Sequence, residues 1–105
     1  KPFDIDTRRT IDLIEIPLIV MDGVLKDYRG MKPSEALARI RELIVVTSNY
    51  NATITFNWHN TFLANQDNPW RSVFEESLDL LKANGAEMCS SCHLAQRWTN
   101  FWKFV

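Results

Sequence analysis

An aspartate and a histidine in this chain each follow an apolar, strand-like run, and together they could carry acid–base chemistry. Asp22 comes directly after Ile16–Met21, and His59 with Asn60 comes at the end of Thr53–Trp58. Because ligands collect at the carboxyl ends of parallel strands, we expect Asp22 and His59 on one edge of a sheet, within reach of a shared ligand. A carboxylate beside an imidazole holds the ring and favours its protonated form, which suits a general acid.

A purely structural role for the same two residues is the alternative. Asp22 could cap the turn that begins with Gly23, and His59 could form a hydrogen bond at the end of its strand. Spacing alone leaves both interpretations open.

A second motif, Cys89-Ser90-Ser91-Cys92-His93, has the spacing of covalent haem attachment. There, two thiols bind the vinyl groups and the histidine binds iron. The strand-like runs argue against a four-helix cytochrome, and a zinc site would still need a fourth ligand. We therefore interpret Cys89 and Cys92 as buried thiols at a strand–helix junction, with no metal in this chain. An electron-transfer haem protein using Cys89, Cys92 and His93 remains an alternative.

The order of elements predicts an α/β fold in which about three parallel strands alternate with three helices. The first helix should begin near Ser34, the second at Asn68-Pro69 and end before Gly85, and the third near Ser91. A third strand is expected at Ala86–Cys89. The first helix should bury a stripe at helical spacing: Leu37, Ile40, Ile44 and Thr47. The residues before Ile16 could form a hairpin or a lead-in loop.

Composition narrows the class of protein. The chain has 105 residues, 46% of them hydrophobic, which suits one globular domain over residues 1–105. With 12 basic and 13 acidic residues the net charge is −1, so nucleic acid is a poor candidate partner.

No apolar run approaches the ~20 residues that span a bilayer. The first residues carry charges where a signal peptide needs an apolar stretch, so we expect a cytoplasmic protein.

The two strand-like runs also resemble a known family. The segments from Ile16 to Leu25 and from Phe56 to Asn60 are similar to the C-terminal part of bacterial polysaccharide deacetylases of the carbohydrate esterase family 4 type. The resemblance extends roughly from Phe3 to Trp102. It implies a partial (β/α) barrel and the hydrolysis of N-acetyl groups on a carbohydrate, with a divalent metal such as zinc in complete relatives.

The resemblance also implies roles for individual residues. His59 is similar to the family histidine that acts as general acid toward the leaving amine, although Phe56 stands where the family usually has leucine. Asp22 would orient that histidine, and Trp58 and Asn60 would line the sugar site. The family motifs that supply the catalytic aspartate base and the metal ligands are absent from this sequence.

The chain therefore resembles the second half of a deacetylase barrel, and we expect it to be inactive by itself. A non-catalytic carbohydrate-binding or interaction module is the alternative to an enzyme. Half of a barrel leaves strand edges free, so we expect a homo-oligomer or a missing N-terminal half that covers them. The self-association could also use a C-terminal aromatic cluster: Trp98, Phe101, Trp102 and Phe104.

Overall fold

The structure is a computed structural model that describes residues 1–102, so Phe104 and the side chain of Trp102 lie outside the described part. The chain forms two compact units. One comprises residues 1–17 together with the described residues from Met88 onward, and the other is Leu18–Glu87. The elements are, in chain order, β1 (Phe3–Asp4), β2 (Arg9–Thr10), β3 (Val20–Met21), a π-helical segment (Val24–Tyr28), α1 (Pro33–Asn49), β4 (Phe56–Asn57), α2 (Asn60–Leu63), α3 (Pro69–Ala83) and α4 (Ser91–Trp102).

The first unit contains an antiparallel hairpin of β1 and β2, with Phe3 opposite Thr10. The hairpin is one of the two possibilities that the sequence left open for this region. Its turn is tied by the Asp4 carboxylate, which accepts hydrogen bonds from the Thr7 hydroxyl at 2.6 Å and from the backbone N–H of Asp6 at 3.0 Å. The same unit contains α4, which begins at Ser91, where the sequence predicts it.

The second unit is built on a two-stranded parallel sheet, β3 with β4, in which Val20 lies opposite Phe56 and Met21 opposite Asn57. Helices α1 and α3 pack against each other, and Val20 of β3 belongs to the same core cluster. The core is the set of apolar side chains that are less than a tenth exposed: Val20, Leu25, Ala36, Ile40, Ile44, Trp70, Val73 and Leu81. The predicted stripe on α1 is confirmed at Ile40 and Ile44, whereas Leu37 and Thr47 are half-buried.

Local sequence determines where the two long helices begin. Pro33 occupies the first turn of α1, and the Glu35 carboxylate accepts the backbone N–H of Lys32 at 2.8 Å, so α1 starts at Lys32-Pro33 rather than at Ser34. Helix α3 starts as predicted, because the Asn68 side chain accepts the backbone N–H of Trp70 at 3.0 Å. Gly85 follows α3 with φ +75°, a conformation that glycine adopts without steric cost.

The predicted partial (β/α) barrel with three parallel strands is wrong. The described residues form two separate two-stranded sheets, one antiparallel and one parallel, and no closed barrel. Ala86–Cys89, the predicted third strand, is exposed and carries no strand pairing. The runs Ile16–Met21 and Thr53–Trp58 pair only over Val20–Met21 and Phe56–Asn57. An apolar run supplies a strand only where another backbone lies alongside it, and a sheet of two strands cannot close into a barrel of about eight.

None of the helices among residues 1–102 has both the length and the apolar character needed to cross a membrane.

Candidate functional site

Asp22 is the fully buried carboxylate at the carboxyl end of β3, with no exposed surface. Its Oδ1 accepts the backbone N–H of Gly23 at 2.6 Å, and its Oδ2 accepts the backbone N–H of His59 at 2.6 Å. A third contact of 2.6 Å joins Oδ1 to the ring Nδ1 of His59. Burial of a carboxylate is costly unless hydrogen-bond donors surround it. Here two of the neighbouring groups are backbone N–H donors, and the third, Nδ1 of His59, is a donor when it carries a proton. The Asp22 carboxylate therefore serves as the hydrogen-bond acceptor for all three groups.

The His59 side chain, unlike that of Asp22, is exposed to solvent, by 53%. Its backbone N–H is nevertheless bound to the Asp22 carboxylate. Because Nδ1 faces a carboxylate oxygen, the hydrogen-bond network assigns the proton to Nδ1. Nε2 is then the ring nitrogen that remains for a ligand. In the neutral ring Nε2 can accept a proton, and in the protonated ring it can donate one.

The parallel pairing of β3 and β4 explains why these two residues meet. In the register, Met21 lies opposite Asn57, so the residues that follow each strand emerge at the same edge. Asp22 follows Met21 directly, and the chain after Asn57 brings His59 onto the Asp22 carboxylate. The predicted placement of Asp22 and His59 is confirmed by this contact, and their catalytic roles stay predictions.

Trp58 and Asn60, the other predicted site residues, flank His59 but lie in different surroundings. The Trp58 ring packs in an aromatic cluster, with its centroid 5.4 Å from that of Phe74 and 6.3 Å from that of Trp70. Its Nε1 is buried and has no hydrogen-bond partner among the described residues. Asn60 is exposed and is the first residue of α2. Asn60 is thus more accessible than Trp58 to any ligand beside His59.

Lys26 is a charged residue near this edge that the sequence did not single out. Its Nζ lies 4.7 Å from the centroid of the Phe62 ring, within the range of a cation–π contact. Lys26 belongs to the segment after Asp22, and Phe62 belongs to the helix after His59. The contact therefore joins the two segments that follow the site residues. No sequence periodicity could reveal it, because it links two segments far apart in the chain.

The cysteine motif lies at the start of α4 in the other unit. Cys89 and Cys92 are both free and exposed, so the prediction of buried thiols at a strand–helix junction is wrong. The preceding residues form no strand, and the helix start is held by the Ser90 hydroxyl, which accepts the backbone N–H of His93 at 3.2 Å. The contact recorded for these thiols is a weak one within α4, from the Gln96 Nε2 to the Cys92 Sγ at 3.8 Å, and it leaves both thiols exposed.

The described residues do not fit the divalent metal that the family resemblance implies. Residues 1–102 contain no group of three or more His, Cys, Asp or Glu side chains arranged to hold an ion. The Asp22 carboxylate, the buried acid at the site, is already engaged by Gly23 and His59. A metal centre built from these residues is thus not supported, and the chemistry open to this edge is proton transfer at His59.

Comparisons with known protein families, with curated proteins and with solved structures found no match to this chain.

Proposed function

We propose that Asp22 and His59 form the acid–base pair of a hydrolytic site that acts on an acylated carbohydrate. The observation that carries the proposal is the double contact of His59 with a fully buried carboxylate, through its backbone N–H and through Nδ1. Such a contact fixes both the position and the tautomer of the ring. The carbohydrate as substrate class is supported by the resemblance of Trp58-His59-Asn60 and its preceding strand to the deacetylase pattern.

In the proposed role, protonated His59 donates the proton on Nε2 to the leaving amine as the bond to the acyl carbon breaks. Asp22 acts as a positioning residue, since its carboxylate accepts the hydrogen bond from Nδ1 and so keeps a proton on that nitrogen. Groups that polarise the acyl carbonyl and activate water would have to come from outside the described residues. We therefore expect low activity toward amides from this chain alone.

The positioned imidazole can be tested separately from its role as an acid, with an activated ester whose leaving group needs no proton. We expect the chain to hydrolyse 4-nitrophenyl acetate faster than free imidazole does, because Nε2 of the neutral ring takes a proton from the attacking water as nitrophenolate leaves. His59→Gln should remove most of this rate, because a positioned imidazole contributes about 10²- to 10⁴-fold. The chain has one other histidine, His93, so His93→Gln is the matched control. Equal losses in both variants would contradict the proposal.

The substrate class needs a separate measurement. Titration with an oligomer of N-acetylglucosamine should shift the NMR signals of His59 and Asn60, and a fully deacetylated oligomer should shift them less. If the acetylated oligomer binds but His59→Gln has no effect on ester hydrolysis, the chain is a non-catalytic carbohydrate-binding module. If neither oligomer perturbs this edge, carbohydrate is the wrong substrate class even where the ester assay succeeds.

A further inference from the structure

A groove follows the edge of β3 that faces away from β4. A cavity of about 340 Å³ is lined by four successive residues, Leu18 to Met21, together with side chains of the π-helical segment and of α1. Successive residues of a strand point to opposite faces of a sheet. Val20 and Met21, the two residues of β3, therefore point to opposite faces, and a cavity that touches both lies at the strand edge instead of over one face. This is the place where a further strand would lie.

The groove is apolar although it is open to solvent. Leu18 is 52% exposed, Ile19 40% and Val24 40%. The backbone N–H groups of Ile19 and Val20 both donate on the β4 side, to the hydroxyl and the carbonyl of Thr55 respectively, each at 2.9 Å. The peptide groups of the next residue, Met21, turn toward the groove. Natural sheets seldom leave an apolar edge of this kind uncovered, which indicates that the edge is a contact surface.

The charges at the groove are positive. Arg29 and Arg39 line it, and no acidic side chain does so among the described residues. Arg39 is paired with Glu42, at 2.6 Å between Nη1 and Oε2. Arg29 is exposed and takes part in no ion pair within residues 1–102. A ligand for this groove should thus combine apolar groups with a negative charge that reaches Arg29.

We propose that this edge of β3 binds an extended strand of a partner polypeptide that carries apolar side chains and a carboxylate. Strand addition supplies main-chain hydrogen bonds, and the pockets for alternate side chains give selectivity. A carboxylate that pairs with the fork of Arg29 would fix the register. A second copy of this chain is the competing occupant, but symmetric pairing of two β3 edges would gather four guanidinium groups in one interface, and like charges oppose such contacts.

The proposal can be tested with a synthetic probe of the required chemistry. The blocked peptide Ile-Asp-Leu-Ile-Glu-Ile, whose sequence is that of residues 11–16, combines four apolar residues with two acidic ones. We expect saturable binding by isothermal titration. Arg29→Ala should weaken it about tenfold, as expected for the loss of one charge-assisted pair. Leu18→Asp should abolish it, and a peptide with lysine at both acidic positions should not bind.

Two exposed residues of α1 that do not line the groove provide matched controls. Arg41→Ala should leave peptide binding unchanged, as should Val45→Asp, and circular dichroism should show native helix content in every variant. Equal binding of the acidic and lysine peptides, no effect of Arg29→Ala, or no binding of the acidic peptide would each overturn the proposal. So would a dimer in light scattering that Leu18→Asp dissociates, because a second copy would then fill the groove.

Discussion

The carboxylate of Asp22 accepts hydrogen bonds from both the backbone and the ring of His59, each at 2.6 Å. One buried side chain thereby fixes where the chain turns after β4 and how the imidazole is oriented. A histidine held by its ring alone could rotate when a ligand arrives. Here the backbone contact removes part of that freedom, so the geometry at His59 is set before any substrate binds.

The first prediction concerns Asp22→Asn, which keeps the size of the side chain and removes one acceptor. Asparagine has one carbonyl oxygen and an NH₂ group, so in either orientation an N–H of the side chain faces an N–H of Gly23 or His59. Leaving a buried donor without an acceptor costs about 1–3 kcal/mol. We expect urea denaturation to show a loss in the free energy of unfolding of about 2 kcal/mol.

The same variant should change the tautomer of His59. ¹⁵N NMR of the ring should show the proton mainly on Nδ1 in the parent protein and a mixture in Asp22→Asn. Asp27→Asn is the matched control, because Asp27 is exposed and close in sequence, and it should change stability by less than about 0.5 kcal/mol. A parent ring that carries its proton on Nε2 would contradict the assigned role of Asp22.

The meeting of Asp22 and His59 could be predicted because it follows from a local rule. Residues directly after parallel strands emerge at one edge of the sheet, and two short paired stretches are enough to bring them together. The start of α3 at Asn68 and the glycine after it were predictable for a similar reason, since caps depend on the residues themselves.

The extent of the sheet was not predictable from the same pattern. Ile16–Met21 is apolar throughout, but strand formation depends on which backbone lies beside it, and only Val20–Met21 finds one. Exposure of Cys89 and Cys92 was missed because burial depends on what packs above a turn. A segment of small and apolar residues specifies neither its partner nor its depth in the fold.

The second prediction tests the packing of α1 on α3. Ile40 has no exposed surface and belongs to the core cluster of this unit. Ile40→Ala removes buried methylene groups and leaves a cavity, for which the usual cost is about 2–5 kcal/mol. We expect a loss of about 3 kcal/mol in the free energy of unfolding. Val45→Ala on the same helix, where the side chain is 48% exposed, should change it by less than about 0.5 kcal/mol.

The third prediction concerns the start of α3. Asn68→Ala removes the side-chain oxygen that accepts the backbone N–H of Trp70, and loss of such a cap costs about 1 kcal/mol. Asn68→Ser restores an acceptor and should return most of that stability in the same urea titration. If serine and alanine destabilise the protein equally, the amide of Asn68 acts through some contact other than the cap.

The fourth prediction concerns the carboxyl group of Asp4 in the turn between β1 and β2. The hydrogen bond from the Thr7 hydroxyl, followed by those from the backbone N–H groups of Thr7 and Asp6, lowers the pKa of Asp4 below its usual 3.8. A lowered pKa means that the folded turn favours the ionised form. The ionised Asp4 carboxylate therefore contributes fully to the stability of the hairpin above pH 3.8. This contribution is lost as the pH falls through the lower pKa of the folded state.

This titration can be followed by ¹³C NMR of the Asp4 carboxyl carbon, whose midpoint should lie below 3.8 in the parent protein. Thr7→Val keeps the shape of the side chain but removes the hydroxyl donor, so the midpoint should rise toward the ordinary value while the backbone contacts retain part of the shift. Cross-strand signals between Phe3 and Thr10, which report the hairpin register, should weaken over the same pH range. Midpoints that coincide in the two proteins would show that the Thr7 hydroxyl does not hold the Asp4 carboxylate in solution.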